Sequence, residues 1–206
     1  MQHESQRLEV IMENCLWVAH QLFDRKMVTG STGNISFMHE GAIYISESGS
    51  VFGRMNESSF AIVALTGEVI LGKPSKEYPI HLELYKKDVK TRCVIHTHSL
   101  NSTVLSCLND TNEYIDRLLT TTPYLSLLTA GKIGVVPYHP PGSIELFNSF
   151  SMNSKTDTHA YLMKNHGIIV SSDDIFKAFG LIEEFEISSE IVLALHRYDA
   201  SEVDRI

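Results

Sequence analysis

Cysteine is scarce in this sequence, and its three copies form no CxxC pair. Cys15, Cys93 and Cys107 each lie in an apolar pattern, and their odd number does not suit a fully paired disulfide framework. Reduced, buried thiols are the simpler interpretation, which is typical of a compartment that keeps cysteines reduced. The sequence therefore gives little support to redox or thiolate chemistry.

Basic residues are also few, and no run of them is longer than a pair. The chain has 17 Lys and Arg against 25 Asp and Glu, for a formal net charge of -8 at pH 7. This balance argues against binding to nucleic acid or to an anionic membrane, since both need concentrated positive charge. An anionic substrate would have to be bound by donors gathered at one place.

Long apolar runs are missing as well. No run approaches the roughly 18 residues that a membrane-spanning helix needs, and the first ten residues, MQHESQRLEV, are polar and charged. We therefore expect no signal peptide, no membrane segment and a cytoplasmic protein. With 206 residues, 43% of them hydrophobic and 20% charged, residues 1–206 are expected to form a single globular domain.

Hydrophobic spacing predicts long helices near both ends of the chain. Residues 4–25 repeat apolar side chains at helical spacing, which indicates an amphipathic helix. The stretch 171–197 shows the same spacing, with Ser172 or Asp173 expected as the N-cap.

The middle of the chain predicts further helices among short strands. PSKEYPIHLELYKKD has helix start signals, with Ser75 as the expected N-cap and Glu77 in the first turn, and LNSTVLSCLN also has a helical pattern. Strand-like stretches between turns are NISFMHE, AIYIS, FAIVAL, TRCVIHTHS, KIGVVP and HAYLMKNHGIIVSS. This pattern predicts an α/β fold with three α/β/α layers around a largely antiparallel sheet.

Two histidines lie two residues apart in the apolar strand-like stretch VIHTHS. Successive side chains of a strand point to opposite faces, so His96 and His98 share a face with Val94. Two imidazoles on one face can bind the same ion, and a catalytic Zn²⁺ commonly has three protein ligands and one open position. The pattern predicts a metal site with at least one more ligand, although ordinary core or surface histidines remain the alternative.

His166 and Glu77 are the candidates for completing that site. His166 lies between two apolar strand halves, and Gly167 behind it would let the backbone turn the ring toward a site. Glu77 opens a predicted helix, where an acid that merely favours the helix dipole is the alternative. His81 and His139 are weaker candidates, since the helix could simply expose His81 to solvent.

The motifs of the chain resemble a known family in their order. STGNIS, PSKEYPIHLELY, VIHTHS and LMKNHG, with ISESG between the first two, resemble the class II sugar-phosphate aldolase and adducin-like family over nearly the whole chain. The resemblance implies a metal held by His96, His98, His166 and Glu77, with Glu77 also acting as catalytic acid and base. Because all four are present, it favours an enzyme over a non-catalytic scaffold.

The same resemblance implies a cofactor, a fold and an assembly. The expected ion is Zn²⁺, one per subunit, with Mn²⁺ and Co²⁺ left open because such ligands suit several ions. The class II aldolase-like fold would be assembled as a homotetramer with active sites between subunits. Tyr124 lies near a position where family members have a tyrosine that extends into the active site of the neighbouring subunit. The alternative is that Tyr124 is a half-buried tyrosine with a structural role only.

Three Gly- and Ser-containing turns could bind a substrate phosphate. Backbone N–H groups in such turns and at helix N-termini attract anions, although each turn alone is explained equally well as an ordinary turn or cap. The family uses the matching positions for the substrate phosphate. They are Gly33 and Asn34, Ser48 and Gly49, and Ser75 and Lys76.

Lys76 departs from the fuculose-phosphate aldolase pattern, which has a serine before the glutamate. The PSKE stretch resembles the 3-oxo-tetronate 4-phosphate decarboxylase subgroup. Two other stretches resemble the same subgroup, namely THS followed by LSCL, and VPYHPPG. That resemblance implies metal-dependent decarboxylation of 3-oxo-tetronate 4-phosphate to dihydroxyacetone phosphate and CO₂ through a metal-stabilised enediolate. Glu77 would transfer the proton that converts the enediolate to dihydroxyacetone phosphate.

Other functions remain open at the level of sequence. The first alternative is a class II aldolase or epimerase acting on a ketose phosphate such as L-fuculose 1-phosphate or L-ribulose 5-phosphate. A metal-dependent dehydratase and a non-enzymatic metal-binding module are further alternatives.

Overall fold

A computed structural model describes residues 2–109 and 111–197, and within them one mixed sheet lies between two layers of helices. The strands are β1 Asn34–His39, β2 Ala42–Ser46, β3 Phe60–Ala64, β4 Val69–Leu71, β5 Cys93–Thr97, β6 Gly134–Val136, β7 Ala160–Met163 and β8 Gly167–Ser172. The helices are α1 Gln2–Asp24, α2 Tyr78–Lys87, α3 Leu100–Ser106, α4 Thr111–Thr120, α5 Pro123–Thr129, α6 Ile144–Asn153 and α7 Ile175–Arg197.

The strand order across the described sheet is β4-β3-β2-β1-β5-β8-β7-β6. Each neighbouring pair is antiparallel except β6 and β7, which are parallel. Strand β5 lies between β1 and β8, where it is buried along its whole length. The predicted largely antiparallel sheet is confirmed, with one parallel pair at its edge.

Alternating side chains of β5 separate the two cores. Cys93 and Ile95 pack in the core beneath α1, α3 and α7, whereas Val94 packs in the opposite core with Ile80 and Leu84 of α2. This alternation is the one expected of a strand buried on both faces. The predicted three-layer α/β/α arrangement is confirmed.

Helix α2 begins later than the sequence predicted. Ser75 is not its N-cap, because the helix starts at Tyr78 and Glu77 occupies the cap position. Residues 75–78 form a turn instead, in which Tyr78 N–H donates to the Ser75 carbonyl at 3.0 Å and Glu77 N–H donates to Ser75 Oγ at 3.4 Å. Pro79 is the second residue of the helix, where proline fits because an N–H in the first turn would have no partner within the helix.

The N-cap of α7 also differs from the prediction. Neither Ser172 nor Asp173 caps the helix, because β8 extends through Ser172 and Asp173 is paired with Lys177 at 3.0 Å. Asp174 is the cap, and its Oδ1 accepts the N–H groups of Phe176 at 2.9 Å and Lys177 at 3.0 Å.

The short helices α4, α5 and α6 had no counterpart in the sequence prediction. Helix α4 does have an apolar stripe at helical spacing, in which Tyr114, Ile115 and Leu118 pack on the core, and the sequence prediction missed it. Helix α5 buries only Leu125 and Thr129 of its seven residues, which is too few to show a clear period. None of the described helices is long and apolar enough to cross a bilayer.

Two of the three cysteines match their predicted environment. Cys15 and Cys93 are buried, and burial raises the pKa of each thiol, so both stay protonated and unreactive near neutral pH. Cys107 is exposed at the end of α3, contrary to the prediction.

Candidate metal centre

The candidate centre lies where β1, β5, β8 and the start of α2 meet. His96 is in β5, paired with Asn34 of β1 on one side and Ile169 of β8 on the other. His98 follows the end of β5, and His166 lies in the turn between β7 and β8. The pairing of these strands thus brings together residues that are 70 positions apart in sequence.

Three imidazole nitrogens converge at this point. His96 Nε2 lies 2.9 Å from His98 Nε2 and 3.3 Å from His166 Nε2, and one ligand nitrogen from each ring lies within 4.8 Å of the others. Glu77 completes the group, with Oε2 3.4 Å from His96 Nε2 and Oε1 3.4 Å from His166 Nε2. The structure therefore brings all four predicted ligands into one cluster.

The surrounding backbone sets the orientation of the rings. His96 Nδ1–H donates to the Ile168 carbonyl at 2.8 Å, which leaves the Nε2 lone pair facing the other rings. The turn that holds His166 is anchored by α3, because Asn165 N–H donates to the Ser106 carbonyl at 3.0 Å and His166 N–H to Ser106 Oγ at 3.2 Å.

Gly167 has a different role from the one expected. The left-handed residue that turns the chain is Asn165, with φ of 53°, and not Gly167. Glycine is needed at 167 because a Cβ there would lie 2.3 Å from the Thr97 carbonyl oxygen and 2.9 Å from His98 Cδ2. Gly167 therefore allows β8 and His98 to approach closely, while Asn165 provides the turn.

The three imidazoles are neutral near pH 7. Burial lowers the pKa of His96 well below its usual range, with further lowering from His98 and His166. Burial, followed by the nearby His166, lowers the pKa of His98 to about 4, and burial also lowers the pKa of His166 against the opposing effect of Glu77. Neutral imidazoles are the form that binds a metal ion.

The donor set fits a divalent cation. Four ligand atoms about 2.0 to 2.1 Å from a tetrahedral Zn²⁺ are separated by roughly 3.3 Å, close to the observed spacings of 2.9, 3.3, 3.4 and 3.4 Å. Glu77 Oε1 is buried and has no hydrogen-bond partner among the described residues. An unpaired carboxylate oxygen facing three neutral imidazoles is the arrangement that a cation would stabilise.

A cleft of about 300 Å³ opens beside these ligands. All six predicted phosphate-binding residues line it, together with Glu77, His98 and His166. Five lining residues had no predicted role: Ser31, Thr32, Glu47, Pro141 and Gly142. Gly142 lies against Lys76, since a Cβ at Gly142 would be 3.3 Å from Lys76 Cβ, and the proline-rich sequence before it was the available signal.

The donors at the predicted phosphate positions differ in their availability. The backbone N–H of Ser48 already donates to the Lys73 carbonyl at 2.9 Å, and that of Ser75 to the Ser46 carbonyl at 3.1 Å. Their hydroxyl groups are the donors that remain. Gly33 has φ of +79°, and a Cβ there would lie 2.8 Å from the His96 carbonyl oxygen, so only glycine fits beside β5.

One prediction about a side chain is corrected by the structure. His81 is fully buried rather than exposable, and its ring contacts Asn34 Oδ1 at 2.5 Å and Ser36 Oγ at 2.7 Å. The Asn34 side chain is occupied by His81 and by Glu77 Oε2, to which its Nδ2 donates at 3.2 Å. His139 lies outside the group of convergent ligands found in the described residues.

Tyr124 does not join this cleft within the described chain. It lies at the start of α5 and is 63% exposed, with Leu127 and Leu128 of the same helix also exposed. The alternative of a half-buried tyrosine therefore does not describe it, and its predicted role in a neighbouring subunit stays a prediction.

Comparison with known proteins identifies the family. The model of the class II aldolase and adducin N-terminal domain matches residues 13–193. This chain belongs to that family. Class II aldolase family members are typically dependent on a divalent metal, and the histidine cluster described above lies within the matched region.

Named relatives of this class II aldolase family member fall in two groups. L-fuculose phosphate aldolase from Methanocaldococcus jannaschii is 36% identical over 176 residues, which cover 85% of this chain and 92% of the relative. 3-Oxo-tetronate 4-phosphate decarboxylase from Haemophilus influenzae is 31% identical over 182 residues, covering 86% and 84% respectively. The chain is therefore a lyase of the class II aldolase family.

Solved structures agree with the fold. The crystal structure of YgbL from Escherichia coli has a TM-score of 0.82 and 30% sequence identity, and the match covers 95% of this chain and 91% of that one. A sugar-phosphate aldolase from Thermotoga maritima, 22% identical, has a TM-score of 0.84 over 95% of this chain and 98% of its own, which supports the fold alone.

Proposed function

We propose that this enzyme decarboxylates 3-oxo-tetronate 4-phosphate to dihydroxyacetone phosphate and CO₂. The observation that favours this reaction is Lys76, which adds a cation to the cleft directly before Glu77. The substrate has two anionic groups, a carboxylate and a phosphate, and an extra ammonium suits the second charge. The named decarboxylase relatives, at 31 to 34% identity, support the same choice.

His96, His98, His166 and Glu77 would hold a divalent cation, with Zn²⁺ as the first choice and Mn²⁺ or Co²⁺ as alternatives. A bound cation would supply Lewis-acid stabilisation of the negative charge that develops as the carbon–carbon bond breaks. The neutral rings and the hydrogen bond from His96 to Ile168 keep their lone pairs directed at one point.

The proposed substrate is a β-keto acid. When its carboxylate leaves as CO₂, the electron pair of the broken bond stays on the hydroxylated carbon next to the ketone. That carbon must then gain one proton to give dihydroxyacetone phosphate, so the reaction consumes one proton for each CO₂ released. Glu77 Oε1, which has no partner among the described residues, is the atom we assign to deliver that proton, which the carboxylate first takes up from solvent in each turnover.

The anionic groups would be bound by the turns that line the cleft. Gly33, Gly49, Ser48 and Ser75 line the cleft together with Glu77, and the hydroxyl groups of the two serines are free to donate. Lys76 lies at the same edge, where its ammonium would bind either the phosphate or the departing carboxylate. These roles follow from the lining of the cleft and from the chemistry of the donors.

Assembly and location are part of the same proposal. We propose a cytoplasmic homotetramer of single-domain subunits spanning residues 1–206, in which Tyr124 reaches a neighbouring active site. The exposure of Tyr124 supports this arrangement, because a large aromatic side chain that is 63% exposed is available to a partner subunit.

A class II aldolase acting on L-fuculose 1-phosphate is the second candidate. The relatives named L-fuculose phosphate aldolase reach 36% identity, and the same ligands and the same glutamate serve either reaction. The two reactions differ in the group that leaves, which is CO₂ in one and an aldehyde in the other.

One experiment separates the two candidates. Purified protein is incubated with 3-oxo-tetronate 4-phosphate and, separately, with L-fuculose 1-phosphate, while CO₂ and aldehyde are measured independently. The proposal expects CO₂ from the first substrate at a much higher kcat/KM than aldehyde from the second. Aldehyde release without CO₂ release would replace the decarboxylase with the aldolase.

A further inference from the structure

A chain of buried polar side chains lies behind Glu77. Asn34 and Ser36 alternate along β1 and so face the same side, while Glu77, His81 and Tyr85 recur every four residues at and along α2. Glu77 Oε2 lies 3.2 Å from Asn34 Nδ2, and Asn34 Oδ1 lies 2.5 Å from His81 Nε2. The other ring nitrogen, His81 Nδ1, lies 2.7 Å from Ser36 Oγ. Ser36 Oγ in turn lies 2.9 Å from the Tyr85 hydroxyl, where the chain of contacts ends.

The chemistry of Glu77 fixes the direction of every hydrogen bond in this chain. A carboxylate only accepts, so the Asn34 amide must direct its NH₂ group at Glu77 and its oxygen at His81. His81 must then donate from Nε2, which leaves Nδ1 to accept from Ser36. Ser36 in turn accepts from the Tyr85 hydroxyl, so Tyr85 is the donor at the far end.

Burial keeps water from replacing any partner in these hydrogen bonds, so their donors and acceptors stay as assigned. Ser36 and His81 have no exposed surface, and Tyr85 and Asn34 are 3% and 4% exposed. Burial lowers the pKa of His81 to about 3, so the ring is neutral near pH 7 and has one N–H to donate. In a site closed to water, the other tautomer would leave buried polar groups without hydrogen-bond partners, which is costly.

The chain makes the two oxygens of Glu77 inequivalent. Oε2 accepts a hydrogen bond from Asn34, whereas Oε1 has no partner among the described residues and faces His166. We propose that His81, acting through Asn34, is a positioning residue that holds Glu77 by Oε2 so that Oε1 is presented to the cleft. This inference depends on the proposed role of Glu77 as the proton donor.

The first test is the tautomer of His81 in the full-length protein. Nitrogen-15 NMR of the histidine rings, with His81→Gln used to assign the signals, distinguishes a protonated Nε2 from a protonated Nδ1. The proposal expects protonated Nε2 near neutral pH, both in metal-free protein and after addition of Zn²⁺. A protonated Nδ1 would overturn it, because Asn34 could then not be oriented toward Glu77 in this way.

The second test uses two substitutions that differ in the atom they preserve. In His81→Gln, the amide NH₂ reaches the position of Nε2 and can still donate to Asn34, whereas the shorter His81→Asn reaches only the position of Nδ1. We expect His81→Asn to lower kcat by about 10- to 100-fold with little change in KM, and His81→Gln to recover most of that loss.

A purely structural role for His81 predicts a different result. Both variants would then lose activity in parallel with their thermal stability, and Gln would bring no specific recovery of kcat. Equal loss in the two variants would therefore overturn the positioning role, and the NMR result decides the question if either variant fails to fold. Kinetics are measured with whichever substrate the unsubstituted enzyme turns over, so failure of the decarboxylase proposal is seen separately, as absent CO₂ release.

Discussion

The two ends of strands β1 and β5 differ in how their polar groups are used. At one end, Glu77, His98 and His166 line a cleft of about 300 Å³, and His96 lies next to them in the ligand cluster. At the other end, Phe37 and Cys93 line a larger cavity of about 850 Å³. The group of three convergent metal-ligating side chains found in the described residues lies only at the first end, so cavity size does not mark the reactive site.

The charged groups Arg92 and Asp174 near the larger cavity have partners within the fold, whereas the hydroxyl of Thr91 is buried there without one among the described residues. Arg92 donates to the carbonyls of Val89 at 2.8 Å and Thr91 at 2.9 Å, and Asp174 accepts two backbone N–H groups of α7. Beside the smaller cleft, Glu77 Oε1 is buried without a partner in the described chain. An unpaired carboxylate oxygen beside convergent imidazoles indicates where a cation is expected, because burying a charge without a partner costs far more than burying a lone hydroxyl.

Removing one imidazole of the ligand cluster should lower activity more than any other substitution, whereas the matched substitution at the opposite end of β1 and β5 should have no effect. We expect His96→Ala to lose stoichiometric zinc and to lower kcat/KM by at least about 100-fold, because a removed ligand should cost no less than a removed supporting residue. Metal content by elemental analysis and steady-state kinetics check this. The matched control is His39→Ala, which lines the opposite cavity and should retain both properties. Full zinc in His96→Ala would remove His96 as a ligand.

Glu77→Gln should leave the fold intact and lower kcat by about 10² to 10⁴, which is the usual contribution of a positioned acid or base. Its control is Glu40→Gln, at the rim of the opposite cavity, where no change in kcat is expected. CO₂ release measured in single turnover checks the chemical step. An unchanged rate in Glu77→Gln would contradict the proton-transfer role.

Lys76→Ser should act mainly on substrate binding. A charge-assisted hydrogen bond contributes about 1.5 to 3 kcal/mol, so we expect KM for 3-oxo-tetronate 4-phosphate to rise by roughly tenfold or more. Lys90→Ser, near the opposite end of the sheet, is the control and should leave KM unchanged. Equal KM values for the Lys76 variant and the unsubstituted enzyme would exclude a direct contact with the substrate anions.

The last prediction concerns the stability of the protein against acid and not its catalytic activity. Because the pKa of His81 is about 3 in the folded protein and about 6.5 when unfolded, the unfolded chain binds the extra proton first. The contribution of neutral, buried His81 to the free energy of unfolding is therefore complete above pH 6.5. It is lost as the pH falls toward 3, at up to about 1.4 kcal/mol per pH unit. Urea unfolding of metal-free protein should show a shallower pH dependence for His81→Gln, and an identical slope would contradict this assignment.

The sequence predicted the parts of the fold that depend on local pattern. The alternation in VIHTHS correctly placed Val94 opposite Cys93 and Ile95, and the long amphipathic helices at both ends were recognised. The cap of α7 was placed wrongly because Ser172, Asp173 and Asp174 offer similar capping groups and only the path of the chain selects one. The cap of α2 was placed wrongly because residues 75–78 form a turn before the helix begins.

The site was less predictable where it depends on packing between distant elements. Family motifs named His166 and Glu77, but their approach to His96 requires the pairing of β5 with β8 and the docking of α2. His81 was assigned to a helix face that could be solvent-exposed, whereas that face packs on β1. The role of Asn165 in the turn was missed because Gly167 seemed the more permissive residue.

The most direct test of the account is activity before and after metal removal. The protein is stripped with a strong chelator, checked for residual metal and for retained fold, and assayed for CO₂ release with and without one equivalent of Zn²⁺, Mn²⁺ or Co²⁺. The account predicts that activity falls to background in the stripped protein and returns with added cation. Full activity in verified metal-free protein would contradict the assignment of His96, His98, His166 and Glu77 as a functional metal centre.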